Sequence, residues 1–369
     1  MRLLQKECGK CLRHPFLWIV CITFGLFQFL SIYTYVGNAG MRKELRQMHV
    51  AVTDEETASP EYESAYADYK KTYGGMYDTL DMRKILEQKE KMSGYEPQGA
   101  WGMWIVRNYD RLQKRVEQIR KTGEGTYAFY PGSWYKLHST LYGKLWKKLI
   151  LQTAVLMILS MLYLMDYERI YKTQDLVLAT TTGKKMMEKK MLAGALCGLF
   201  YAGLITAFTL LVFFAAVPFQ NLWHVPVAAC MVAEPRLQMM YPFVTFWRLE
   251  QWRYFLLALV VLVGLLGIIA VVTAAVQLFL QNSYFSFAVL GLLFMGAYLL
   301  AYVQMGNVWD LIREFFNPTV LYATSGGWFM ENDLCLSFAG NEFAVLFCSG
   351  TAAVCLMAVG KRRYHRLEV

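Results

Sequence analysis

Charge is scarce in this chain of 369 residues: Asp, Glu, Lys and Arg make up 18% of it, against about 25% in an ordinary soluble domain. Alternating ten-residue strands are absent, which excludes a membrane β-barrel. No GxxxxGK[ST], HExxH or G-x-S-x-G motif occurs, so the chain encodes no phosphate loop, zinc-protease helix or hydrolase nucleophile. The five histidines, His14, His49, His138, His224 and His365, are scattered without ligand spacing. His138, in YKLHS, reads as an interfacial residue rather than a base. No catalytic residue, metal ligand or bound cofactor is assigned to the chain. Among eight cysteines, Cys21, Cys197, Cys348 and Cys355 sit in apolar runs as small hydrophobes. Cys8 and Cys11 have CxxC spacing with no second half. Cys230 and Cys335 fall in segments expected on one side of a membrane, which leaves a disulfide open.

Long apolar runs dominate what is present. Six of them, Phe16–Val36, Leu149–Met165, Met191–Val217, Phe255–Leu280, Tyr284–Gln304 and Phe343–Gly360, approach or exceed the ~20 residues that cross a bilayer. The expected fold is an all-α polytopic membrane protein with six transmembrane helices. The spans are nearly free of ionisable residues, with Asp166, Glu168 and Glu342 at their ends. That argues against an ion-coupled carrier, as does the lack of an inverted repeat with broken helices.

The surplus charge of +9 flanks the spans, and no nucleic-acid recognition motif accompanies it. Segments 1–15, 167–190 and 361–369 hold 14 Lys or Arg, whereas loops 218–254 and 305–342 hold 4. By the positive-inside rule both termini and the 166–190 link are cytosolic. Residues 37–148 are then a mainly helical extracytoplasmic domain between spans one and two. In it, Trp104, Ile105, Tyr109, Leu112, Val116 and Ile119 recur at helical spacing, and Pro60–Lys91 also has helical character. Residues 1–15 read as an amphipathic interfacial helix, residues 305–342 contain a short amphipathic helix at Val308–Phe316, and residues 361–369 form a basic tail meeting lipid headgroups. The pair Gly194/Gly198 has small-xxx-small spacing for close helix packing.

The link Asp166–Lys190 is short and basic, with Glu168 and Lys172 four apart and an apolar Leu176-Val177-Leu178. These residues carry a resemblance. The chain resembles the membrane subunits of type 2 ABC exporters, whose cytosolic pattern runs E-x-x-x-G-T, then leucines, a Thr, a Gly/Ser-Arg pair and a Lys opening span three. Here it reads Glu168, Lys172-Thr173, Leu176, Thr180, Gly183-Lys184 and Lys190, with Lys172 where Gly is usual and Lys184 where Arg is usual. The likeness covers residues 1–36 and about 149–369, not the 37–148 insertion. It implies a coupling helix docking on a separate ABC ATPase subunit that carries ATP and Mg, and a second permease subunit, identical or sister. It also implies a bacterial cell membrane, an outer gate within 305–342, and an amphiphilic cargo. The alternative is a non-transporting sensor or scaffold whose extracytoplasmic domain binds a ligand or partner.

Overall fold

The computed structural model describes residues 2–38, 40–42, 45, 63–64, 67–68, 71, 75–93, 99–126, 133–173, 183–217, 219, 222–231, 242–303, 308–331 and 338–367. Among them there is no strand, only two isolated β-bridges, Pro226 with Glu250 and Thr245 with Met330. The main helices are α1 (Arg2–Leu12), α2 (Pro15–Gly37), α3 (Met82–Ser93), α4 (Gly99–Thr122), α5 (Trp146–Met165), α6 (Gly183–Ala216), α7 (Gln251–Leu280), α8 (Ser283–Ala301), α9 (Val308–Phe316) and α10 (Asn341–Leu367).

Six of these helices, α2, α5 with the turns before it, α6, α7, α8 and α10, are long and apolar enough to cross a membrane. Their outward faces fit lipid rather than water: Leu211, Leu292 and Phe347 are each more than 70% exposed. The chain is thus compatible with a multi-pass membrane protein. Helix α5 is the most enclosed of the six. It packs against both α6 and α7, while α2 lies against α5 and α6, and α10 runs along α7.

Small residues set the closest of these approaches. A Cβ on Gly194 would stand 3.0 Å from the Met161 Cα, and one on Gly198 would stand 3.0 Å from the Met157 Cα. The two glycines let α6 lie directly on the α5 backbone. In the same bundle Gln28 Nε2 donates to Gln152 Oε1 at 2.8 Å, tying α2 to α5 where no water competes for the amides.

The helix leading into α5 begins well before the Leu149 start read from the apolar run. It opens with an α-turn at Ser133–His138, passes through a π-helical stretch at Ser139–Leu145, and then continues as α5. Leu141, Tyr142, Leu145 and Trp146 are all buried, so this stretch has an enclosed face although its lysines break the apolar run. Between α7 and α8 the turn is tight. Gln281 adopts φ 51°, and Asn282 Oδ1 caps α8 by accepting from the amides of Tyr284 (3.0 Å) and Phe285 (3.2 Å).

Helix α1 and the end of α10 lie at the same end of the bundle as residues 166–173 and 183–190. There Lys361 pairs with Glu188 at 3.1 Å, Lys10 with Glu168 at 3.3 Å, and Asp166 Oδ2 accepts from Ser283 Oγ at 2.9 Å. The far end holds α3, α4 and the segments preceding α7 and α10. Asp81 Oδ1 caps α3 by accepting from Arg83 N at 3.0 Å. This helix begins at Met82, after a turn at 75–79 that interrupts the Pro60–Lys91 reading; of residues 60–74 only 63–64, 67–68 and 71 are described, and these are helical. Ile105, Tyr109, Leu112, Val116 and Ile119 of α4 are buried, packed with Met82 and Ile85 of α3 and with Ala228 and Val244.

Helix α9 is inside-out by the standards of a soluble protein. Asp310 and Glu314 are buried while Trp309, Ile312 and Phe316 are exposed. A helix bordered by protein on one side and lipid on the other turns its apolar face outward, because there the polar groups find partners only inside.

Candidate functional site: an ion-pair knot beside the link

Glu168 lies in the single turn Tyr167–Ile170 that follows α5. Its carboxylate pairs with Lys190 of α6 and, at 3.3 Å, with Lys10 of α1; Lys10 also pairs with Glu7 at 2.6 Å. Glu7, Glu168 and Lys190 are nearly sealed from solvent, at 2%, 6% and 5% exposure. Two carboxylates face two ammonium groups, so the charges of the knot offset one another. Lys10 Nζ also sits 4.4 Å over the Tyr167 ring. A row of rings, His14–Tyr163 at 4.1 Å, Tyr163–Tyr167 at 5.7 Å and Tyr167–Tyr171 at 4.6 Å, backs the same turn.

The chain leaves this knot through a strained residue. Lys172 has φ 55°, the left-handed region that costs an L side chain roughly 1–2 kcal/mol. The amide of Thr173 then closes the turn onto the Glu168 carbonyl at 2.8 Å. The backbone at Lys172 thus holds a conformation that glycine favours.

Of the other link residues singled out in the sequence, Leu176 and Thr180 lie outside the described residues. Gly183 begins α6 and Lys184 falls in its first turn. Glu168 and Lys190, far apart in sequence, are brought into contact; they hold one another rather than facing solvent. Gly194 and Gly198 lie farther along α6 against α5. Glu7 was not singled out by the sequence. Its signal is a lone acid among the cations of α1, beside the inward-facing Cys11.

The CGKC pair belongs to this packing. Cys11 is buried, Cys197 Sγ contacts the Cys8 carbonyl at 3.8 Å, and burial followed by the neighbouring Cys197 pushes the Cys8 thiol up to about 11. Among the described residues no group of three or more His, Cys, Asp or Glu is arranged to hold a metal ion.

At the far end a second polar network joins α3 and α4 to the bundle. Arg115 makes a bidentate pair with Glu124 (3.2 and 2.5 Å) and donates to the carbonyls of Thr245 (3.2 Å) and Trp247 (3.3 Å). Tyr77 Oη donates to the carbonyls of Ala228 and Phe243, both at 3.1 Å. Lys89 pairs with Glu331, which also accepts from Tyr109 Oη at 3.3 Å. The unit containing α3 and α4 thus grips the segment before α7 and the segment before α10 together. Beneath it Glu342 Oε1 accepts from the Phe329 amide at 2.5 Å, and Asn341 Nδ2 donates to Glu314 at 3.1 Å.

His138, expected at an interface, is instead enclosed. Its Nδ1 lies 3.4 Å from Gln251 Oε1, and its ring packs on Tyr142 and Tyr254. Cys230 accepts from Gln251 Nε2 at 3.1 Å, and Cys335 lies outside the described residues. No protein-family model, no curated protein and no solved structure matches this chain.

Proposed function

We propose that this chain is the permease subunit of a type 2 ABC exporter. It would pair with a second permease subunit and with ABC ATPase subunits that carry ATP and Mg, and would move an amphiphilic cargo across a bacterial cell membrane. In this reading both termini and the link are cytosolic, and the unit holding α3 and α4 is extracytoplasmic.

The observation that carries the reading is the knot at Glu168. A force applied to the link enters a buried ion-pair cluster shared by α1, the end of α5 and the start of α6. Because buried charges of this kind separate only at a high energetic cost, the three elements move as one body, as transmission of an ATPase stroke requires. The left-handed Lys172 at the pattern's Gly position supports the same reading. Glu168 and Lys190 act as positioning residues, and the contact with the ATPase falls to the link itself, through Thr173, Leu176, Thr180 and Lys184.

The test is co-purification in mild detergent with any ABC ATPase encoded next to this chain, followed by ATP hydrolysis with and without the permease. A stable complex with altered turnover is expected. Glu168→Lys should uncouple hydrolysis from transport, and Glu168→Lys with Lys190→Glu should restore part of the coupling. If no ATPase associates, even with crosslinkers placed at Thr173 or Thr180, the transport reading fails.

A further inference from the structure

The buried face of α4 rests on α3 and on the segment before α7, so its opposite face points away from the bundle. At 100° per residue, Arg107, Arg111, Lys114 and Lys121 gather on that opposite face with Gln118 between them, and all five are exposed. None of the four cations has an ion-pair partner among the described residues. Nearby Asp110 is already engaged by Arg83 at 2.9 Å. Glu117, exposed on one flank, is the acid that remains beside them. From Arg107 to Lys121 the row is about 21 Å long at 1.5 Å per residue.

The row has an apolar end. Met103 and Val106 are 60% and 39% exposed one turn before Arg107. Four cations in line, unpaired among the described residues, suit an extended polyanion, and the apolar step ahead of them discriminates among polyanions. A phosphate polymer has nothing to place on Met103, whereas a peptide does. An extended peptide with an acid at every second residue repeats its charge at about 6.6 Å, close to the 6 Å rise of four helical residues between Arg107 and Arg111.

We propose that the outward face of α4 docks an acidic peptide segment, with an apolar side chain seated on Met103 and Val106 and its carboxylates along Arg107, Arg111, Lys114 and Lys121. The proposal stands whether or not the chain is a transporter.

The experiment uses the full-length protein in phosphatidylcholine nanodiscs and fluorescence anisotropy. The probe is a fluorescein-labelled peptide with two leucines ahead of alternating Glu and Ser. Saturable binding that weakens steeply with added salt is expected. Replacing Arg107, Arg111, Lys114 and Lys121 together by Gln should weaken it by about tenfold or more, each exposed pair being worth a fraction of a kcal/mol. These side chains are exposed, so the variant should fold, which unchanged size-exclusion behaviour checks. Met103→Ser should cost the leucine-bearing peptide several-fold and leave a leucine-free peptide unaffected. Unchanged affinity in the Gln variant overturns the site. Inorganic polyphosphate binding as tightly as the peptide, with no effect of Met103→Ser, overturns the peptide assignment in favour of a sequence-blind anion patch.

Discussion

The left-handed residue at the exit of the knot gives a sharp test, because glycine is expected to improve on the native lysine there. At Lys172 the backbone sits at φ 55°, and an L side chain in that region costs roughly 1–2 kcal/mol. Glycine escapes this cost but brings a more flexible unfolded chain, a penalty of roughly 0.5–1 kcal/mol. The difference leaves Lys172→Gly more stable by about 0.5–1 kcal/mol, provided the charge of Lys172 contributes nothing. The side chain is exposed and no ion pair involves it among the described residues, so Lys172→Gln serves as the charge control and should be neutral. Asn, which tolerates the left-handed region, should fall between Gly and Lys, and Val should be worse than either. Native-state hydrogen exchange is the assay, read at the Lys172 and Thr173 amides, which bond to the carbonyls of Arg169 and Glu168 at 3.1 and 2.8 Å. Local opening at these amides should become about two- to fivefold rarer in the Gly variant. If Gly speeds exchange there while Gln does not, the turn is not left-handed, and one support for the coupling reading goes with it.

Three other outcomes follow from the packing. Arg115→Ala leaves the buried Glu124, among the described residues, with the Thr122 hydroxyl at 3.0 Å and Arg248 at 3.7 Å, and should weaken α4 protection against proteolysis by about 3–5 kcal/mol. Replacing Arg115 and Glu124 together by Met should recover much of that loss, and failure to recover any of it would show that the carbonyl bonds dominate. Gly198→Leu drives a side chain into Met157 and should cost about 1–3 kcal/mol in thermal unfolding, whereas the same change at Gly203, with nothing within 4 Å, should be tolerated. Burial raises the Cys230 thiol from 9.0 to about 12. The unfolded chain therefore ionises first, and this group's contribution to stability is present below pH 9 and is lost as pH rises towards 12. Cys230→Ala should flatten that alkaline loss, and N-ethylmaleimide should label Cys230 only after denaturation.

What the sequence made legible was whatever leaves a periodic trace. The six apolar runs, the buried stripe of α4 and the bounds of α9 at Val308–Phe316 are all read from spacing alone, because burial against a neighbour selects apolar residues at a helical period. Pairings between distant segments leave no such trace. Glu7 and Glu331 look like ordinary surface charges in one dimension, and become buried only when helices far apart in the chain are brought together, while Arg115 and Glu124, nine residues apart, meet because the chain turns back after α4. The π-helical entry to α5 was hidden for a different reason. Its lysines break the apolar run, although Leu141, Tyr142 and Leu145 still face inward. The link was legible as a basic connector, but its lead acid was misplaced in space: Glu168 has the spacing of an exposed helix pair with Lys172, yet its partners are Lys10 and Lys190.

The grip of the α3–α4 unit on segments near the other end of the chain has a consequence for biosynthesis. Tyr77 bonds to a carbonyl 151 residues later and Lys89 to a carboxylate 242 residues later. At the roughly 5–20 residues per second of ribosomal synthesis, the unit waits on the order of ten to fifty seconds for its last partner. During that interval the α4 face that will cover Ala228 and Val244 stands bare, so a chaperone or protease meets it before the native contact can. Closure then reports that α5, α6, α7 and α8, the crossing-length helices between Lys89 and Glu331, are in place. A chain whose final two helices fail to insert keeps Lys89 without Glu331 and remains marked for removal.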